Sequence, residues 1–419
     1  MNVMGEDVVF ITTSNGWFRP EYQWVTHRNP TSAVVEYNYL FYYVIIGNAN
    51  MIIANIDAAE GPQAEKDAIK AEALTYRGWA HFQAVQLYGK RFDKTGANDG
   101  LGIPVVTEPI TEPKARNTVA EVYAQVNKDL DDAISLFGGY KRSTKSHFNI
   151  DVAKGIKARV ALTQQDWANA AKYAREARTG YTLMSNSEYL SGFNNYDNKE
   201  WMWGSRILAE ETAYFYSFFA NFSNYNSSIN RTSPKVIFSP LYDQISATDI
   251  RKQLWDPTGK DAVNFPLPAS TYVRAKYQSK KFRIADAIHS GGDVPYMRAA
   301  EMYLIEAEAE ARAGNNAAAA AALYPLAVNR DPSYTLSTKT GQALIDEIMI
   351  QRRVELWGEG TRFYDLKRTN SPLDRNGGNH NATYTNGVMS VPAGDIRWEF
   401  LIPQDEIDFT KGLVVQNAQ

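Results

Sequence analysis

The run QRRVELWGEGTRFYDLKR, Gln351 to Arg368, decides how this chain is read. Charged and large apolar residues alternate there too closely for an ordinary amphipathic helix. Arg352 and Glu355 stand three apart, as do Glu359 and Arg362, and Arg362 and Asp365. Residues at that spacing share a helix face, so opposite charges can pair. Leu356, Trp357, Phe363, Tyr364 and Leu366 are threaded between them. Gly358 and Gly360 interrupt one helix, and a second starts at Thr361. The run predicts two short helices fastened by arginine–carboxylate pairs and packed on aromatics.

Working outward, helical periods dominate. Met297, Ala300, Leu304, Ala307 and Ala311 form one apolar stripe. They open a helix pair that runs to about Asn329 and splits at Gly314–Asn315–Asn316. A similar pair covers residues 150–178, split at Gln164–Gln165–Asp166, with Ala158, Leu162, Trp167, Ala170 and Tyr173 alternating small and large. Both resemble degenerate tetratricopeptide (TPR) units. Ile69, Ala73, Tyr76, Ala80, Ala84 and Leu87 predict a helix over Glu65–Tyr88, ended by Gly89. Thr118 and Glu121 form a capping box for a helix to about Phe137. Another helix is expected near Tyr37–Asp57. Tyr181–Asp293 is rich in Asn, Ser, Tyr and Phe and lacks helical periodicity, as functional loop regions do. Short strands are expected at Glu200–Ile207 and Lys235–Phe238, with Trp201 and Trp203 assigned to packing. The fold class is mainly α.

Several blocks together resemble the SusD/RagB family, the surface nutrient-binding lipoproteins of Bacteroidetes. The opening run is similar to the family's E-R-R-x-E-L-x-x-E-G-x-R-x-x-D-L-x-R, with Gln351 where that pattern begins with Glu. ALTYRGWAHFQAVQLYG followed by IPVV, PYMRAAEMYLIEAEA, and the tail FLIPQDEI…VVQN resemble other family blocks. The tail departs at Phe409–Thr410, where Asn-Pro is common. The resemblance implies one SusD-like domain over 1–419. Its TPR-like scaffold would span about 37–180 and 293–370, and a loop-rich, irregular ligand-binding part with short strands about 1–36 and 181–292. Arg77, Arg298, Glu301, Arg352, Glu355, Glu359, Arg362 and Asp365 are its structural signature.

The implied function is non-catalytic binding of an oligosaccharide or polysaccharide at the bacterial outer-membrane surface. The glycan would pass to a SusC-like TonB-dependent transporter. The implied location is the cell outer membrane, as a surface lipoprotein. Membrane attachment would run only through an N-terminal lipid anchor. Neither a signal pattern nor a lipid-bearing Cys occurs here, and MNVMGEDVVF resembles a stretch well inside family members. The chain is therefore read as a fragment with a truncated N-terminus.

Composition narrows the alternatives. A net charge of −3 gives no reason to expect nucleic acid or an anionic membrane surface as partner. The absence of Cys excludes disulfides, cysteine nucleophiles and thiolate metal sites. No uninterrupted apolar run approaches a membrane span in length, so none is expected. His27, His81, His147, His289 and His380 are scattered without metal-helix spacing, and no metal site is predicted. His81 is read as a hydrogen-bonded core histidine. Asp93, Thr95, Asn98 and Asp99 could offer oxygens to a structural Ca²⁺, but their spacing is not that of an EF-hand, and a solvated turn is favoured. No cofactor is expected. Gly96–Gly102 lacks the context of a phosphate cradle. Lys339–Thr340–Gly341 lacks the companion elements of a serine hydrolase set.

Carboxylate pairs could in principle hydrolyse glycosides: Glu355 with Glu359, Glu306 with Glu308, Asp129 with Asp131 and Asp132. All lie on helices beside Arg or Lys, which would hold them charged, so no catalytic residue is assigned. A sugar-binding surface instead needs flat aromatics beside amides and guanidiniums on loops. Two segments have that composition: Trp17, Phe18, Arg19, Tyr22 and Trp24, and Asn221, Phe222, Tyr225 and Asn226. Trp255 and Tyr272 are weaker candidates. Three other readings stay open: a RagB-like peptide-uptake protein, a glycoside hydrolase, and a TPR protein–protein scaffold.

Overall fold

The computed structural model describes residues 1–12, 16–211, 217–224 and 230–419. Helices dominate, and the strands are short. The chain forms two compact units. One comprises Met1–Gln23, Arg178–Asp365 and Leu373–Ser390; the other comprises Trp24–Ala177, Leu366–Pro372 and Val391–Gln419.

In the second unit, helices Ala33–Asn55, Gln63–Tyr88, Val119–Phe137, Ile150–Thr163 and Trp167–Ala177 pack in sequence order. The first begins earlier than its apolar period suggests, because the Ser32 hydroxyl accepts from Val34 N–H and caps it. The same helix, counted to Ala58, is long and apolar enough by composition to cross a membrane. It contains no uninterrupted apolar run of that length, because tyrosines and asparagines are spread along it. One face of it is nevertheless buried against the Gln63–Tyr88 helix, where the Tyr88 hydroxyl donates to Val35 O at 2.9 Å. The Thr118–Glu121 capping box forms in both directions. Gly89 ends its helix in extended backbone rather than in a left-handed turn, at a place with no room for a side chain. Its φ is −94°, and a Cβ there would meet Val85 at 2.9 Å.

His81 fits its reading as a core residue. Its Nδ1 donates to Arg77 O (3.1 Å) and its Nε2 accepts from Val106 N–H (3.3 Å), which uses both nitrogens of the neutral ring. Arg77 grips Asp129 in a two-point pair, at 2.9 and 2.6 Å, and donates to Asn50.

In the first unit, a four-stranded antiparallel sheet runs in the order Val8–Phe10, Lys235–Ile237, Gln278–Ser279, Trp255–Asp256. Val9 faces Val236 in register. A two-stranded ladder pairs Trp201–Ser205 with Val294–Arg298 and buries Trp201 and Trp203. The TPR-like pair is Ala299–Arg312 with Asn316–Arg330, followed by Gly341–Glu355. Two buried clusters form the core, one aromatic and centred on Phe282 and Trp357, the other aliphatic between the three helices.

The charged run lies against this core, and its pairing differs from the expectation. Arg352 pairs elsewhere than with Glu355, and Glu359 elsewhere than with Arg362, while Asp365 acts on Arg362 electrostatically. Gly358 and Gly360 adopt φ of 77° and 83° and turn the chain between the two helices, which takes Glu359 off the face of Arg362; Arg352 and Glu355 keep their helical spacing, but partners from elsewhere in the chain take their charges. Arg352 instead reaches Asp365 at 2.8 Å and joins the two helices. Arg362 pairs with Glu6. Glu355 takes Arg298 (3.1 Å), Arg330 (3.2 Å) and Arg251 (3.3 Å). Glu359 takes Arg298 and Lys281, each at 2.7 Å. Glu200 joins Arg298 and Arg330, and Asp249 completes the set on Arg251. Four carboxylates thus face four cations, and the buried lattice is neutral. Gln351 keeps a place in it, its amide oxygen accepting from Arg251.

Candidate ligand-binding site

A stacking surface has to be aromatic, solvent-facing and rigidly held. Trp17 and Phe18 meet the first two needs: they are 39% and 41% exposed, with ring centres 6.3 Å apart. Phe18 sits in the left-handed region at φ 59° as the residue before the short helix Arg19–Tyr22. That conformation is uncommon and costly for a bulky residue, and it persists where surroundings fix it. The surroundings are specific. The Arg19 guanidinium lies 4.5 Å from the Tyr384 ring centre. Gln23 Nε2 donates to Tyr384 O at 2.8 Å, and the Tyr384 hydroxyl donates to Thr12 O. Asn381 Oδ1 holds the turn before Tyr384 by accepting from Thr383 and Tyr384 N–H. Trp17 and Phe18 thus adjoin, in sequence, an Arg19 guanidinium that lies over the Tyr384 ring, all within the first unit.

The other sequence candidates are corrected by burial. Tyr22 is fully buried, stacked on Phe10 at 4.6 Å, with its hydroxyl bonded to His380 Nδ1. Trp24 is buried in the second unit, edge-on to Trp398 at 4.8 Å. Phe222 stacks on Phe218 at 4.9 Å within the aromatic core, and Asn221 is buried beside it, donating to Ser217 O. Trp255 and Tyr272 are buried as well. Burial against neighbours distant in sequence decides all of these, and composition alone does not show it. Tyr225 and Asn226 lie outside the described residues. Tyr384 is not among the sequence candidates, although its neighbourhood NGGNHNATYTNG carries the same mixture of Asn and aromatics as the other two segments.

The carboxylates considered for hydrolysis are all tied to cations. Burial by itself raises Glu355, but Arg330, Arg298 and Arg251 outweigh it and hold the carboxyl well below the usual range. Glu359 is lowered in the same balance, burial against Arg298 and Lys281. Glu306 pairs with Arg178 and Glu308 with Arg312 (2.7 Å). Asp131 and Asp132 pair with Lys157 and Lys128. Asp129 behaves differently: burial raises it despite Arg77, so the expectation of a lowered value fails there. Asp93 is held low by Thr95 N–H and hydroxyl and by Arg91, and Asn98 Oδ1 accepts from Asp93 N–H. Among the described residues no group of three or more His, Asp or Glu is placed to hold a metal ion.

Two stretches of the chain match known families. Residues 203–419 match the family described as the SusD family. This chain belongs to that family. Residues 4–162 match a second SusD-like family, described as "Starch-binding associating with outer membrane". No curated protein matches the chain. Among solved structures, a SusD-like carbohydrate binding protein from Bacteroides vulgatus is 27% identical. The alignment covers 98% of this chain and 90% of that one, with a TM-score of 0.84. A SusD superfamily protein from Bacteroides thetaiotaomicron is 23% identical over 100% and 93%, with a TM-score of 0.83. A laminarin binding SusD-like protein is 20% identical over 99% and 92%, with a TM-score of 0.74. The mainly α SusD fold is thus the fold of this chain.

Proposed function

We propose that this SusD-family chain binds a glycan without cleaving it, at the outer face of the bacterial outer membrane, and hands it to a SusC-like TonB-dependent transporter. The carrying observation is the exposed Trp17–Phe18 pair beside the Arg19–Tyr384 stack. Sugar rings present apolar C–H faces to such aromatics and hydroxyl rims to the guanidinium. Membership of a family whose matched descriptions name starch binding and outer-membrane association supports the reading, as does the 27% identical carbohydrate binding relative. The lowered Glu355 and Glu359, held charged by their cations, support binding rather than turnover at that pair, because a general acid must hold a proton near neutral pH. The test is a panel of polysaccharides, starch and laminarin included, screened by affinity electrophoresis and then assayed for new reducing ends. Retardation on at least one glycan with no reducing ends supports the proposal. Steady release of reducing ends would replace it with hydrolysis.

A further inference from the structure

Arg251, Arg298 and Arg330 share the carboxylates of the buried lattice, Arg352 takes Asp365, and Arg362 takes Glu6. Arg19 departs from that pattern. Among the described residues its side chain has no ion-pair partner and donates no hydrogen bond. Glu21, the acidic residue of the same short helix, does not pair with it. The Arg19 charge rests instead on the Tyr384 ring, 4.5 Å from its centre. The Nε–H is sealed from solvent without an acceptor, while the two Nη groups stay open to it. A guanidinium stacked through its face keeps its N–H edges for acceptors lying in its plane. Half-buried, this charge has given up part of its water, and no carboxylate compensates it. That strengthens its pull on an anion. Tyr384 is itself fixed through Gln23, Thr12 and the Asn381 turn, so the guanidinium is held in place before any ligand arrives.

We infer that the glycan taken here is anionic, with a carboxylate or sulfate group on the Nη edge of Arg19 and an adjoining sugar ring against Trp17 and Phe18. This rests on Trp17 and Phe18 being the glycan-binding pair, as proposed above, and adds the charge class of the ligand. Either anion can offer two oxygens to the guanidinium fork, the strongest pairing that a guanidinium makes. A neutral glycan would offer only hydroxyl oxygens, which are weaker partners for a charged donor. The chain carries a net charge of −3 and so has no general attraction for polyanions. A preference for an anionic glycan therefore has to come from a local, uncompensated cation, and Arg19 is one that lies beside exposed aromatics.

The test uses matched glycans. Starch and laminarin are each taken as the neutral polymer and as its carboxymethyl and sulfate derivatives, and polygalacturonate is set against its methyl ester. Affinities are measured by calorimetry on the native chain, Arg19→Gln and Arg19→Lys, with a melting temperature for each. We expect an anionic form to bind at least about tenfold more tightly than its neutral counterpart, by a margin that shrinks with added salt. The carboxymethyl and sulfate arms show which anion the fork prefers. Arg19→Gln should bring the two forms within about threefold of each other, costing the neutral form far less than the anionic one. Arg19→Lys keeps the charge and loses the fork, so it should retain the preference at reduced affinity. A neutral glycan that binds as tightly as its anionic forms, and is lost in Trp17→Ala/Phe18→Ala, would overturn the inference and leave the glycan site standing. An anionic preference that survives Arg19→Gln in the folded protein would overturn it as well. Binding of none of these glycans, neutral or anionic, would overturn it together with the glycan-binding role it rests on.

Discussion

Glu355 receives three guanidinium groups while having no contact with solvent. Removing one partner from a buried ion pair leaves an uncompensated charge, which costs about 3–5 kcal/mol. Glu355→Gln should therefore lower unfolding stability by that order in denaturant titration. Glu359→Ala, which strips a carboxylate from Arg298 and Lys281, should also destabilise. Neither should change glycan preference. The acid limb of stability has two sources at this scale. Burial holds His27, His81 and His380 down to about 3, against about 6.5 in an unfolded chain. The unfolded state therefore binds protons first, so stability rises with pH through that window and is lost as pH falls below about 6.5. Glu355, held below its unfolded value, adds a further loss that begins as pH falls through the usual carboxylate range and continues below it. Denaturation midpoints measured from pH 7.5 downward should fall before carboxylates titrate, and a flat profile to pH 4 would contradict the assignment. The identities of the signature residues were legible in the sequence; their partners were not. Glu355 meets Arg251 and Arg298 across more than fifty residues of chain, a relation set by the fold rather than by helix spacing.

The helical elements were the most legible part, because apolar period and caps agree locally. Thr118→Ala should cost about 1 kcal/mol, the usual worth of an N-cap, read as a shift in denaturant midpoint. What stayed hidden was the consequence of single backbone positions. Gly358 breaks the charged run at φ 77°, and a Cβ there would lie 2.5 Å from Phe282. Gly358→Ala should destabilise by roughly 1–3 kcal/mol through backbone strain alone, with overlap against Phe282 adding to it. Thermal unfolding of the variant measures this, and an unchanged midpoint would mean that the turn is not held as described.

For the molecule as a whole, the two TPR-like helix pairs fall in different compact units, 150–177 in one and 299–330 in the other. The family and the helical scaffold could be read from sequence because both rest on periodic, locally encoded blocks. The site was only partly legible. Trp17 and Tyr22 have similar surroundings in sequence, yet one is exposed and the other buried, since Phe10 and His380 come to Tyr22 from far along the chain. Tyr384 completes the surface from a segment more than 350 residues away from Arg19. The most direct test of the proposed function is calorimetric titration of the glycan that the panel selects into the native chain and into Trp17→Ala/Phe18→Ala. Both aromatics are exposed, so the variant should keep its melting temperature while affinity falls at least about tenfold, the scale of losing stacking anchors. Undiminished affinity in the folded variant would contradict the account.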